Sequence, residues 1–556
     1  MHVPKSGQRS FSQIEAWLYP QKVERLKESW AGPFREFILP MLIEAEKKFA
    51  RFYSRNMGAP NKPVSVLLGI LLLKELNDLT DREALQNYEF SMQWHYALDT
   101  TPNDAHICEK TLFNFRNRIP DKKPLLELFN DVVKGIIGKW SLETGTHRLD
   151  SSVIMSNMKI LSRLGLFMKT IEGFLNDLKK DKPGVYAGLD EKYKKRYVDR
   201  KGYFADAKPS ESRRRLQDCA RDLCELVSLF RLSRKIRHMR SFKLMERVLE
   251  EHVNVKEDED GRLQVWVRMP EKKRDREDSQ GEVAMKDPKE SGGETLQNPS
   301  DPDATYSGHK GPGYKVQVME TCDKDNPFQV IDNVSVGKAN ESDQKVVEAV
   351  HEELKEKGIE PKTTFADSGY VSGENIVKAR EQGVDLVGPL PGGESKKENP
   401  VEVGDFEFNE DLDEVKSCPG GQSPVEQEYS EESGVLEADF DAEKCKECPH
   451  SENCPTKKKK RVRRLRVKRE DIAKSKRRRE EKTVEFKEKY KIRSGIEATI
   501  SHLKNDLGMK RLSIRGSPSV NFRVIFKVLA YNIRQMSNYV LETIRKGAKT
   551  PQERTI

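Results

Sequence analysis

Three carboxylates in this chain sit where an ionised group needs a reason. Asp150 lies inside the strand-like stretch THRLDSSVIM, beside Leu149, Val153 and Ile154, which want burial. A charge there is costly unless something pairs with it. Asp367 closes KTTFADSGY, residues 362 to 370, the strand-end position at which open α/β sheets place ligands. Glu497 lies in YKIRSGIEATISHLKND, residues 490 to 506. On one continuous helix, at about 100° per residue, Tyr490, Arg493, Glu497 and Lys504 share a stripe roughly 60° wide. Ile492, Ile496, Ile500, Leu503 and Leu507 form the apolar face beside it. An acid between cations at the edge of a buried face suits a place where a metal ion meets phosphates. Carboxylates without His or Cys select hard cations, Mg²⁺ or Mn²⁺. Two such ions, about 3.5–4 Å apart, activate a water or a 3′-hydroxyl and stabilise the leaving oxygen of a phosphodiester displacement. Taken singly, a strand-end Asp is more often a turn residue.

The elements that must position these acids follow from periodicity. Residues 11 to 135 read as helical, with TDRE at Thr80–Glu83 as a capping box and EKTLFNFRNRI (109 to 119) as a short basic-aromatic helix. THRLDSSVIM begins a strand region, interrupted by a helical stretch at about 157–252 and a polar linker at about 270–302. RLQVWVR (262 to 268) reads as a short strand. GYKVQVME (313 to 320) and FQVIDNVSVG (328 to 337) alternate like paired antiparallel strands. Ser342 can cap a helix, a further helix starts from Ser372, and VDLVGPLP supplies a further strand. The alternation implies an α/β mixed sheet flanked by helices behind an N-terminal all-helical domain.

Tyr490-x2-Arg493-x3-Glu497-x6-Lys504, with the blocks LDSSVIMSN and FADSGYVSGEN and the closing RGSPSVNFRVIFKVLAYNIRQM, resembles the bacterial insertion-sequence DDE transposases that carry an insertion before their last acid. The resemblance covers most of residues 60 to 540. It implies a ribonuclease-H-like catalytic domain in which Asp150, Asp367 and Glu497 hold two Mg²⁺ (or Mn²⁺) ions. Tyr490, Arg493 and Lys504 would hold DNA phosphates near the cleaved bond. It further implies cleavage at terminal inverted repeats, strand transfer into target DNA, a homodimer in the synaptic complex, and a cytoplasmic, nucleoid-associated setting in a prokaryote.

Between Asp367 and Glu497 the chain carries Cys418-x26-Cys445-x2-Cys448-x5-Cys454. This crowding favours a structural Zn²⁺ site over disulfides in a reducing compartment, with His450 as a possible substitute ligand. Reduced cysteines without metal are the bland alternative. Directly after it, fifteen Lys or Arg stand against two acids between Lys457 and Arg479. Lys457, Lys458, Arg461, Arg463 and Arg464 lead this run, which reads as DNA phosphate contact, although such runs often only solvate a helix face. His147 reads as a strand-surface residue. Asp303, Tyr314 and Lys315 read as structural, and Trp94, Trp140 and Trp266 as packing.

At 556 residues the chain is too long for one core. The expected division is a helical, DNA-binding or dimerising domain at 1–140, the first part of the catalytic domain at 141–389, a cysteine-bearing insertion at 390–482, and the catalytic and C-terminal helices at 483–556. A charged fraction of 34% and a net charge of +9 fit a soluble polyanion-binding chain. The longest apolar run, VSVLLGILLL, is half the ~20 residues needed to cross a bilayer, so no membrane is expected. Three rivals remain: a transposase-derived DNA-binding protein without cleavage activity, a nuclease of the same fold, and a zinc-dependent binding module with incidental acids.

Overall fold

The computed structural model of the chain describes residues 14–54, 61–103, 106–119, 122–199, 209–257, 263–265, 267–268, 282–286, 292–392 and 401–547. Its N-terminal part is helical: α1 (Val64–Leu76), α2 (Asp81–Phe90), α3 (Glu109–Arg118) and α4 (Lys123–Trp140). The run VSVLLGILLL lies in α1, which is apolar on all sides and buried on all sides. The capping box forms as expected, with Glu83 N donating to Thr80 Oγ1 (3.2 Å) and Thr80 N to Glu83 Oε2 (2.8 Å). Trp94 and Trp140 are core residues; Trp266 lies outside the described residues. No described helix is long and apolar enough to cross a membrane.

The sheet begins with β1 (Thr146–Ile154). After it come the helices α5 (Arg163–Asp181), α6 (Pro209–Phe230) and α7 (Arg240–His252), which share a core of their own around Phe174, Leu223 and Phe242. The chain then re-enters the sheet through β2 (Thr305–Ser307), β3 (Gly311–Thr321) and β4 (Ile331–Lys338), followed by α8 (Val347–Glu356), β5 (Thr363–Ala366), α9 (Gly373–Glu381) and β6 (Asp385–Val387). The strands run in the order β6-β5-β1-β3-β4, with β2 also pairing to β3. β5 and β6 are parallel and β3 and β4 antiparallel to their neighbours, with Asp150 opposite Val318. One face of the sheet buries Ile154, Val316 and Val318 under the helical region; the other buries Leu149 and Met319 under α8 and α9. This is a mixed sheet flanked by helices, consistent with a ribonuclease-H-like fold.

A second, antiparallel sheet holds β7 (Glu426–Ser430), β8 (Val435–Asp441), β9 (Lys457–Lys458) and β10 (Val462–Lys468) in the order β7-β8-β10-β9. The chain closes with α10 (Arg469–Glu480), α11 (Val484–Tyr490), α12 (Gly495–Asn505) and the long α13 (Ser517–Arg545).

Four expectations need correction. The linker at 270–302 is packed at its end, where Leu296, Asn298 and Asp301 are buried; residues 269–281 and 287–291 lie outside the described residues. Ser342 precedes a 3₁₀ turn, Asp343–Val346, and makes no capping bond, whereas Ser372 does accept from Asn375 N (3.1 Å). His147 is fully buried, its Nε2 paired with Asp332 Oδ2 at 2.6 Å, because it pairs with Thr321 in the middle of the sheet. The stretch 490–506 is two helices, since a 3₁₀ turn over Lys491–Ser494 separates α11 from α12.

Candidate active site

Asp150 sits on the central strand, and its buried carboxylate accepts from Ser151 N (2.7 Å) through Oδ1. Asp367 follows the last residue of β5, where its Oδ1 accepts from Gly369 N (2.8 Å) and fixes the turn. Glu497 stands in the first turn of α12, more exposed than either Asp. The guanidinium of Arg493 joins all three: Nη2 lies 2.9 Å from Asp150 Oδ2 and 3.9 Å from Asp367 Oδ2, and Nη1 lies 2.8 Å from Glu497 Oε1. Three carboxylates around one guanidinium leave a local excess of negative charge. Burial pushes the Asp150 carboxyl up from its ordinary value against the pull of Arg493.

The break before α12 changes what the signature residues do. Tyr490 is half-buried, stacks on Phe486 with ring centroids 5.9 Å apart, and donates from its hydroxyl to Ala366 O (3.2 Å). It therefore braces the strand end that presents Asp367. Ile492 turns into a small cluster with Phe365 and Val387, whereas Ile496, Leu503 and Leu507 enter the large core with Ile500 against them. The single apolar face expected from a continuous helix is thus split in two. Lys504 is half-buried, and burial lowers its ammonium below its ordinary value, aided by Lys310 and Lys510.

Residues outside the Tyr490–Lys504 signature hold α12 in place. Glu320, fully buried on β3, accepts from Arg148 Nε (2.7 Å) and from Thr499 Oγ1 (2.9 Å) on α12. Arg148 Nη1 also donates to Ile492 O (3.3 Å). A Cβ at Gly495 would lie 1.8 Å from Arg148 Nη1, so any larger residue at the start of α12 would require this guanidinium to shift. The available signal was Glu320 itself, a charge on the strand face otherwise formed by Tyr314, Val316 and Val318.

The four insertion cysteines are free and line one cavity of about 20 Å³ together with His450 and Arg463. Gln422 N donates to Cys418 Sγ (3.4 Å) and Thr456 Oγ1 to Cys454 Sγ (3.2 Å). Burial pushes the Cys445 thiol up, and Arg463 opposes it. Among the described residues, no group of three or more His, Cys, Asp or Glu side chains is arranged to hold a metal ion as placed.

The basic run is built into structure rather than free. Arg463 donates to Ser451 O (2.8 Å) and Arg464 to Asp439 Oδ1 (2.6 Å), while Lys457, Lys458 and Arg461 remain exposed. Buried Arg477 holds Leu386 O (2.8 Å) and Gly388 O (3.1 Å) at the end of β6. Asp303 accepts from Ser517 N (2.8 Å), Tyr314 donates to Asp301 (2.7 Å), and Lys315 pairs with Asp343 (3.0 Å), all structural contacts.

The family described as transposase DDE domain matches residues 417–537, from the cysteine segment through α12 to α13. The transposase domain DUF772 matches residues 32–118 of the helical region. The two matches support an insertion-sequence DDE transposase. No curated protein and no solved structure matches the chain. DDE transposase domains generally use divalent ions such as Mg²⁺. The donor types at this site suit such an ion, three carboxylates without His or Cys, with the Arg493 guanidinium standing between them.

Proposed function

We propose that this transposase cuts DNA at the ends of its element and joins the freed 3′-hydroxyl to target DNA, with Asp150, Asp367 and Glu497 as the metal-binding triad. The convergence of these acids on Arg493, from positions 217 and 130 residues apart in sequence, carries this reading. When bound, two Mg²⁺ ions would activate the attacking oxygen and neutralise the leaving one. The chain's own part is to fix the acids. The Arg148–Glu320–Thr499 network clamps α12, Tyr490 holds the strand end at Asp367, and Ser151 N orients Asp150. Arg493 and Lys504 supply positive charge for phosphates.

The helical region at 1–140 is proposed to grip DNA or to dimerise, pairing two transposon ends, and exposed Lys457, Lys458 and Arg461 to add phosphate contacts. Cys418, Cys445, Cys448 and Cys454 are proposed as a structural Zn²⁺ site whose thiolates the ion would draw together, supported by their shared cavity and by the donors aimed at two of the sulfurs.

The test is incubation of the purified protein with Mg²⁺ and duplexes carrying the DNA that flanks its gene. Cleaved ends and joined products are expected. Cleavage without joining would indicate a nuclease, and tight binding without either a non-cutting regulator.

A further inference from the structure

We propose that the turn between β2 and β3 belongs to the active site, and that Lys310 on it forms with Lys504 and Lys510 a cradle for a DNA-strand phosphate beside Asp150. The identity of the ligand rests on the DNA-cutting reading above.

Backbone geometry brings the three lysines to one place. Ser307 pairs with Gly311, so residues 308–310 form the turn, with Lys310 N on Ser307 Oγ (3.4 Å). β3 crosses close over the end of β1: a Cβ on Gly313 would lie 2.1 Å from Ile154 O, and glycine removes that clash. The turn therefore hangs beside the strand that carries Asp150. The chain after α12 is clamped to the same strand end, since Met155 N donates to Lys510 O (3.1 Å), Leu512 N to Met155 O (2.8 Å) and Lys510 N to Lys504 O (3.2 Å). Lys310 and Lys510 thus approach one strand end from two different segments, and Lys504 is tied to Lys510 through the backbone.

The charges are arranged for a ligand rather than for the fold. Lys310 and Lys510 are exposed and Lys504 is half-buried, and among the described residues none of the three ammoniums is ion-paired with a carboxylate. By contrast, Lys315 and Lys527 nearby both have carboxylate partners. Lys504 is disfavoured as a cation by burial and by its two like neighbours. Unpaired like charges repel one another, and a phosphate between them would relieve that repulsion.

The experiment measures binding of a short DNA duplex across a salt series in Ca²⁺, for wild type, Lys310→Gln, Lys310→Arg and Lys378→Gln, a control lysine already ion-paired with Glu348 and Glu374. Loss of one phosphate contact lowers the slope of log affinity against log salt by about one. Lys310→Gln is expected to show that drop, and Lys310→Arg and Lys378→Gln to keep the wild-type slope. A wild-type slope in a folded Lys310→Gln protein would overturn the cradle. A protein that cuts no DNA but loses slope on Lys310→Gln would retain the cradle and lose the cleavage reading; one that cuts DNA with an unchanged slope would do the reverse.

Discussion

Arg493 and Asp150 are 343 positions apart in the chain and meet at 2.9 Å. The same guanidinium reaches Glu497 at 2.8 Å, so one cation links the sheet to the helix that faces it. This contact sits at the centre of the account, because a group that neutralises the acids also competes for them.

Arg493→Ala is therefore expected to raise the affinity of the DNA-free protein for Mn²⁺ several-fold, since three carboxylates would lose their internal counter-ion. Isothermal titration without DNA reads this directly. An unchanged or weakened affinity would mean that the guanidinium does not occupy the ion's place.

Gly495→Ala should weaken the protein without touching an acid. The new Cβ meets Arg148, whose guanidinium is tied to Glu320 and to Ile492 O. Overpacking of this kind costs on the order of 1–3 kcal/mol. A fall in Tm together with lower cleavage is expected; an unaltered Tm would show that Arg148 can move aside freely.

His351 lies under β5, buried, with Nε2 on Thr364 Oγ1 (3.0 Å), and burial pushes it down to about 4. The unfolded chain takes up a proton near pH 6.5 that the folded chain refuses until about pH 4. The stability it contributes is thus present above pH 6.5 and lost as pH falls toward 4, by about 3 kcal/mol. His351→Gln should flatten the slope of stability against pH across that window in urea titrations, leaving the similar share of His252.

Zinc content separates the readings of the cysteine cavity. Purified protein should carry one Zn²⁺ per chain, released by a thiol-blocking mercurial, and Cys448→Ser should lose it with a drop in Tm. Metal-free protein that is equally stable would leave the cysteines as buried thiols.

Much of this arrangement was legible in the sequence. The strand alternation around Asp150, the antiparallel pair at 313–337 and the helix starting from Ser372 are local patterns, and they appear as expected. Helical periodicity presents the helix of Glu497 as continuous because it cannot register a 3₁₀ turn of four residues, and that turn sends Tyr490 and Ile492 to the Asp367 strand. The partners of His147 and Arg148, 185 and 172 positions away, are set by strand pairing that a single sequence does not report. The charge run looked uniform, yet sheet formation pairs Arg464 with Asp439 and buries Arg477 while leaving Lys457 exposed.

The most direct measurement compares Mg²⁺-dependent cleavage and joining of flanking-element DNA by wild type and by Glu497→Gln, with DNA binding followed in parallel. The substitution is expected to abolish both reactions and leave binding intact. Cleavage and joining retained in Glu497→Gln would contradict the triad.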